Sequence, residues 1–307
     1  MQTITIIGYG NHVIKNILPA ISRCNAINVE YIIVRDKERF KECPDYNLMR
    51  ELNGDFVISS DWVYIATPIS THFSYARKML MLGKNVICEK PITESYNNSK
   101  LLDNLAKESG LKLIEVCMYL YHEQYDILKN IFSKYENDIK NIRCSFSIPH
   151  LSPDNIRYKK ELFGGALLDV GYYPLSLISD LCGRPINISY KKFFDREVDI
   201  FGYAIFEYKS FYALCEWGIG KLYSNFIEIQ TENDLIYFER IFSKPHTFET
   251  TITITNREGV QTIIVEQDDH FVNFLEDCLG ECVNKNIDFL NKNKILTEIY
   301  KDIDLYI

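Results

Sequence analysis

Apolar and polar positions alternate differently in the two halves of the chain. Over the first 116 residues, short runs rich in β-branched residues (TITII, NVEYIIV, WVYIAT, NVICEK, LKLIEV) are separated by stretches with helical period. Strands alternating with helices imply βαβ units and a doubly wound parallel sheet covered on both faces. In the first helical stretch Val13, Ile14, Ile17, Leu18 and Ile21 fall on one face able to lie on such a sheet. Pro19 sits inside that pattern, and a residue without an N–H predicts a bend or local break there. Residues 121 to 135, YHEQYDILKNIFSKY, read as another amphipathic helix.

From residue 139 the texture changes to longer alternating runs, among them IRCSFSI, NISYKKFF, IFGYAIFEY, FYALCEWGI, NFIEIQT and FETTITITN. Their period of two, with turn residues between them, predicts an open, mostly antiparallel sheet. One helical stretch near 166 to 182 interrupts the strands. A helix over about 268 to 283 and a polar, helical C-terminus follow. The second half is therefore expected to be an α+β domain, and no low-complexity linker separates it from the first.

The 307 residues are enough for one or two domains with a sizeable core. Hydrophobic residues at 47% and charged residues at 25% are ordinary globular values. A net charge of −8, with no Lys/Arg block, gives no footprint for nucleic acid. No run approaches the roughly 18 apolar residues of a membrane-crossing helix, and the N-terminus lacks the pattern of a signal peptide, so the cytoplasm is the expected location. Nine scattered cysteines suit reduced, buried thiols. The nearest pair, Cys278 and Cys282, has no partners at metal-ligand spacing, so no metal is expected.

Chemistry enters at the strand ends. Gly8 and Gly10 stand directly after the first strand and before a helix, with Asn11 and His12 next. Backbone approaches a pyrophosphate at such a place, and helix N–H groups hold it. The third position of G-x-G-x-x-G is Val13, a departure that affects helix packing rather than the cradle. A plain tight turn remains the other interpretation. At the end of the second strand, IIVRDKER places Arg35 where an arginine accepts the phosphate of NADP, with Asp36 available to bond an NAD ribose instead. In VICEKPIT, Glu89 and Lys90 end a buried strand on the edge where open α/β sheets bind ligands. A lysine there is a proton donor or a fixed charge beside a polarised carbonyl, unless it is simply a surface residue on a turn.

Taken together, GYGNHVIKNILPAI, VYIATPISTH, LGKNVICEKP, YHEQYDILKNI and FGGALLDVGYYPLSLI resemble, in this order, the glucose-fructose oxidoreductase, inositol dehydrogenase and rhizopine catabolism family of NAD(P)-dependent oxidoreductases. The resemblance spans nearly the whole chain. It implies a dinucleotide-binding Rossmann domain over 1–118 and a substrate-binding and oligomerisation domain over 119–307, with a C-terminal helix packing back on the first. It makes Lys90 catalytic, with Pro91 in an often cis Lys-Pro bond. Thr67, Pro68 and His72 line the cofactor groove, and Glu89 lies near the nicotinamide ribose. His72 has a capping or groove-wall role as its alternative.

Many members carry Asp and His four apart; here the pair is Asp169 and Tyr173, resembling the branch with glucose-fructose oxidoreductase, dihydrodiol dehydrogenase and nucleotide-sugar 3-ketoreductases. A phenol fits, since hydride addition to a carbonyl builds an alkoxide that needs a proton. Tyr119, Arg157, Tyr223 and Asn225 are the implied substrate residues; for Arg157 a solvated loop position is the alternative. Phe163, Leu120 and Glu123 depart from the family pattern near the substrate pocket. The implied reaction is reduction of a keto group on a nucleotide-linked deoxysugar with NADP(H) favoured over NAD(H), in a homodimer or homotetramer formed through the C-terminal sheet. A free-sugar or trans-diol dehydrogenase is the alternative, and a non-catalytic NADP-binding sensor the third.

Overall fold

Short strands rich in β-branched residues and mostly buried build the first sheet. The computed structural model describes residues 2–34, 48–49, 59–280 and 289–301. Strands β1 (Gln2–Ile7), β2 (Ile27–Ile33), β3 (Leu48–Met49), β4 (Trp62–Ile65), β5 (Asn85–Cys88) and β6 (Leu113–Glu115) pair in parallel in the order β3-β2-β1-β4-β5-β6. All four residues of β4 are buried, as expected of a strand covered on both faces. Helices α2 (Ile69–Met81) and α3 (Tyr96–Glu108) are amphipathic, and Ser95 caps α3 by accepting the Asn98 N–H.

The first helix breaks where Pro19 predicts. A π turn, Val13–Ile17, leads into a short α1 (Leu18–Arg23) that has Pro19 in its first turn. The Leu18 N–H bonds the Val13 carbonyl five residues back, and Pro19 has no N–H to resume the ordinary ladder.

The second sheet has the order β14-β13-β12-β11-β7-β10-β9-β8. Its strands are β7 (Asn141–Ile148), β8 (Asn187–Asp195), β9 (Val198–Glu207), β10 (Tyr212–Ile219), β11 (Ser224–Gln230), β12 (Leu235–Glu239), β13 (Thr250–Asn256) and β14 (Gly259–Val265). Pairing is antiparallel except between β7 and β10. In β11 and β12 every second residue is buried, so one face is covered and the other open. A second π turn, Leu167–Gly171, leads into α5 (Tyr172–Cys182), again just before a proline, Pro174. Gly171 lies against the indole of Trp217, where an added Cβ would come within 3.0 Å.

Helix α4 (Glu123–Tyr135) follows a 3-10 turn, and α6 (His270–Leu279) and α7 (Phe289–Lys301) end the chain. The chain divides into a unit of residues 1–117 with 271–286 and a unit of 118–270 with 287–307. Helix α6, rather than the last helix, joins the first unit: Gln2 Nε2 donates to the Leu279 carbonyl at 3.2 Å and Lys112 Nζ to that of Gly280 at 2.7 Å. Helix α7 belongs to the second, where Lys192 Nζ donates to the Ile299 carbonyl at its C-terminal end. One stretch, Lys160–Cys182, is long and apolar enough to cross a membrane on length and composition, which corrects the sequence-based expectation that none is. However, 78% of its apolar window is buried inside the protein, the pattern of a core helix.

Candidate active site

In the first unit the carboxyl ends of β1, β4 and β5 lie side by side, with Ile7 paired to Ile65 and Ile65 to Cys88. Gly8, just beyond β1, has φ +105°, and a Cβ there would come within 2.5 Å of the Ala66 carbonyl oxygen. Only glycine fits this conformation and this contact. Gly10 faces open space, with nothing within 4 Å of its Cβ position, and its carbonyl accepts the Ile14 N–H at 3.1 Å. Asn11 is exposed and His12 partly so. A glycine turn, a helix start and an open approach are what a pyrophosphate needs, so the residues present fit a dinucleotide. Arg35 and Asp36 lie outside the described residues.

Glu89 sits at the end of β5 and collects two side chains. His12 Nε2 lies 2.8 Å from Glu89 Oε1, and the Tyr64 hydroxyl donates to the same oxygen at 2.5 Å. Asn16 Nδ2 meets His12 Nδ1 at 3.0 Å, and the imidazole packs on Phe271 with centroids 5.7 Å apart. Burial pushes the Glu89 carboxyl up, but His12, the Tyr64 hydroxyl and Lys90 outweigh it and hold it at about 2. Burial and the Glu89 charge push the Tyr64 phenol well above its ordinary range. Glu89 is thus a fixed anion.

Lys90 follows, half-buried, and its bond to Pro91 is cis. Thr67 and Pro68 form the turn after β4, with Pro68 at the N-cap of α2 and the Thr71 hydroxyl bonded to the Thr67 hydroxyl at 2.8 Å. His72 is buried rather than open to the groove. Its Nδ1 lies 2.9 Å from the Pro91 carbonyl oxygen and its Nε2 2.9 Å from that of Thr67.

In the second unit the loop before α5 is shaped by its glycines. The Gly165 N–H donates to the Arg157 carbonyl at 2.8 Å, and a Cβ on Gly164 would fall 2.6 Å from that oxygen. This close return brings Arg157 to Asp169. The guanidinium Nε donates to Asp169 Oδ2, and Nη2 reaches Oδ1 at 3.3 Å. Asp169 raises the Arg157 pKa, burial opposes it, and Tyr173 adds a smaller raising effect, which places the phenol in the field of the pair. Arg157 is therefore a partner of Asp169, not a solvated loop residue. Phe163, at φ +55°, occupies a left-handed conformation that favours glycine.

Tyr173 is 7% exposed, and aromatic rings surround it: Phe146 at 5.0 Å, Phe242 at 5.5 Å, Tyr172 at 5.7 Å and Tyr119 at 6.1 Å between centroids. Its hydroxyl points to Met118 Sδ at 3.8 Å. Tyr119 is fully buried and shares a hydrogen bond with the Ser176 hydroxyl at 2.9 Å. Asn225 is also buried: its Nδ2 donates to the Tyr223 hydroxyl and the Ser243 carbonyl, both at 2.9 Å, and its Oδ1 accepts the Phe242 N–H at 2.9 Å. Tyr119 and Asn225 are therefore buried and engaged in hydrogen bonds within the protein, while Tyr223 is exposed.

Sequence reasoning missed three residues. Tyr64 points at Glu89. The buried Glu115 accepts the Ile92 N–H at 2.7 Å, and the buried Asp199 accepts the Leu167 N–H at 2.7 Å. The available signal was the same for the two acids: a carboxylate inside an otherwise apolar strand, in LKLIEV and in EVDIFGYAIF.

Residues 3–116 match a family described as an oxidoreductase family with an NAD-binding Rossmann fold, and residues 137–232 match the GFO/IDH/MocA C-terminal domain. Curated relatives include the dTDP-3,4-didehydro-2,6-dideoxy-alpha-D-glucose 3-reductases of Streptomyces violaceoruber, 38% identical over 42% of this chain and 38% of that protein, and Saccharopolyspora spinosa, 27% identical over 84% and 80%. Against that of Actinomadura kijaniata the identity is 27%, over 69% of this chain and 65% of the relative. The chain thus spans less than two thirds of the length of two of these reductases. A solved 3-ketoreductase from A. kijaniata, in complex with NADP and TDP-benzene, has the same fold, with a TM-score of 0.89 at 22% identity over 99% of this chain and 97% of that one. With both halves matched in order, the chain belongs to the GFO/IDH/MocA oxidoreductase family.

Proposed function

We propose that this protein reduces a keto group of a nucleotide-linked deoxysugar, using NADPH. The observation that carries this is the setting of Tyr173: a phenol within a shell of aromatic rings, in the field of the Arg157–Asp169 pair. Apolar walls suit the deoxygenated face of a sugar ring, and the ion pair is the polar handle. The 3-reductase names of the relatives support the same substrate class.

Bound NADPH supplies a hydride to the carbonyl carbon. Tyr173 donates its phenolic proton to the carbonyl oxygen, and the Lys90 ammonium polarises that oxygen or relays the proton. The Arg157 guanidinium, held by Asp169, stabilises the phenolate left behind. Gly8, Gly10 and the helix start at Asn11 and His12 hold the pyrophosphate; Thr67 and Pro68 line the groove and Glu89 faces the ribose. The preference for NADP(H) rests on Arg35 and on relatives such as the D-xylose 1-dehydrogenase (NADP(+)) 2 of Haloferax volcanii, 27% identical over 60% of this chain and 58% of that protein.

A second reading, a free-sugar or trans-diol dehydrogenase, is favoured by one feature: Arg157 is turned to Asp169 and so is not free for a diphosphate. The open face of the second sheet, with Phe226 stacked on Tyr237 at 5.3 Å and Phe193 on Phe201 at 4.4 Å, supports a homodimer or homotetramer through that sheet. Among the described residues seven of the nine cysteines form no disulfide, which suits a reducing cytoplasm.

The test is a titration with NADPH and NADH, followed by Trp62 and Trp217 fluorescence, and then loss of NADPH absorbance with keto-sugar nucleotides and with xylose or trans-diols run in reverse. Turnover of the former alone supports the first reading, and turnover of the latter alone supports the second. Binding of NADPH with no turnover of either class supports a sensor.

A further inference from the structure

Lys90 sits in a turn whose backbone is held on both sides. Before it, the Glu89 N–H donates to the Ile65 carbonyl at 2.9 Å, and the Val116 N–H to that of Cys88 at 2.9 Å. These are the ordinary ladder of a parallel sheet. After it, two side chains take over: Glu115 Oε1 accepts the Ile92 N–H at 2.7 Å, and His72 Nδ1 meets the Pro91 carbonyl at 2.9 Å. The other His72 nitrogen meets the Thr67 carbonyl, which ties this turn to the one after β4.

Both side chains are deeply buried, Glu115 at 6% exposure and His72 at 1%. A carboxylate there is costly to desolvate and gives no return as filler, so its place is explained by what it holds. The imidazole repeats the point. Each of its nitrogens faces a carbonyl oxygen, and a neutral ring carries a single N–H. Burial disfavours the charged ring, while the nearby Glu89 and Glu115 favour it.

We propose that Glu115 and His72 form a clamp on Pro91 and Ile92 that positions Lys90, with Glu115 as the member that grips the backbone N–H. Neither side chain reaches the reacting atoms, so both are positioning residues. The role for Lys90 rests on the proposed reductase function; the clamp itself does not.

The experiment uses the full chain with NADPH and a keto-sugar nucleotide. Hydrogen exchange is read at the Ile92 amide, in wild type first, and then in E115A and E115Q. The carboxamide of E115Q keeps the acceptor, and strands β1 and β4 serve as the folding control. The expected result is a slow Ile92 amide in wild type, lost in E115A alone and without change in β1 and β4. Turnover should fall about 100-fold in E115A, as for a misplacement near 1 Å. NADPH affinity should stay within about twofold, and E115Q should recover most of the turnover. Fast exchange at Ile92 in the wild type overturns the clamp, whether or not E115A folds. So does an E115A that turns over like wild type, or that loses turnover only in step with NADPH affinity. If the wild type reduces no keto-sugar nucleotide, the proposed function fails while the exchange pattern still decides the clamp.

Discussion

Asp199 accepts the backbone N–H of Leu167 at 2.7 Å, and its carboxylate fills the space that a side chain on Gly165 would need, with Oδ1 2.3 Å from the Gly165 Cβ position. The Trp217 indole donates to the same Asp199 oxygen at 3.4 Å. One buried acid thereby sets the start of the turn that carries Asp169 and Tyr173. Burial pushes the Asp199 carboxyl up to about 6, against the opposing hydrogen bonds of Leu167 and Trp217. An acid raised in the folded state stabilises fully below its unfolded value near 3.8, and that contribution is lost as pH rises through about 6. At pH 8 the charge costs about 3 kcal/mol at most. D199N keeps an acceptor for Leu167 without the charge, so its stability relative to wild type should rise between pH 4.5 and pH 8. Guanidinium unfolding at both values checks this, and an unchanged difference would count against it.

Glu89 has the opposite sign. Its carboxyl is held at about 2, so its contribution is present above an unfolded value near 4.5 and is lost as pH falls towards 2. The size is at most about 3 kcal/mol, reduced because the His12 side chain is partly open to solvent. E89Q should flatten the acid limb of stability below pH 4.5, as measured by unfolding at pH 7 and pH 3. A variant that follows the wild-type curve would show that the His12–Glu89 contact is not holding the charge.

The two glycines of the first turn should separate cleanly. G8A places a Cβ 2.5 Å from the Ala66 carbonyl oxygen at φ +105°, and should lower stability by about 2 kcal/mol or more. G10A meets no atom within 4 Å and should leave the melting temperature within about a degree or two, since exposed substitutions rarely exceed 0.5 kcal/mol. Its effect should appear in NADPH affinity alone. Melting curves with and without NADPH test both, and equal destabilisation by the two variants would remove the distinction.

Removing the phenol tests the chemistry. Y173F leaves the ring among Phe146, Phe242, Tyr172 and Tyr119 and removes only the hydroxyl, with the proton it would donate. Turnover should fall by about 10²- to 10⁴-fold, the range of general-acid removal, with NADPH affinity unchanged. K90A should behave in the same way. A Y173F enzyme within threefold of wild type would move the proton donor elsewhere.

The layout of the fold was legible because burial on two faces writes uninterrupted apolar strands such as WVYI, while burial on one face writes alternation such as NFIEIQ. Pro19 announced its break in advance, because a missing N–H is a local property. Pairings across long separations were not legible. Arg157 finds Asp169 only because Gly164 and Gly165 let the chain return on itself, and Glu115 finds Ile92 only through the register of β5 and β6. The burial of Tyr119 and Asn225 was hidden for the same reason: a polar side chain displays its type in sequence, but not whether its hydrogen bonds are already taken.

The return of residues 271–286 to the first unit bears on how the chain comes off the ribosome. Gln2 and Lys112 wait for carbonyls at Leu279 and Gly280, and β7 waits about 65 residues for its parallel neighbour β10. The first sheet finds all its strand partners within residues 2–115, but its contacts with α6 wait until residue 280 has been synthesised, about 14 s or more at ordinary elongation rates. Strand β7 has both its neighbours, β10 and β11, only once residue 230 has been synthesised, so nascent chains should depend on chaperones more than a protein built from sequential hairpins. An isolated stretch of residues 1–118 would lack α6 permanently and should expose the apolar surface that helix covers.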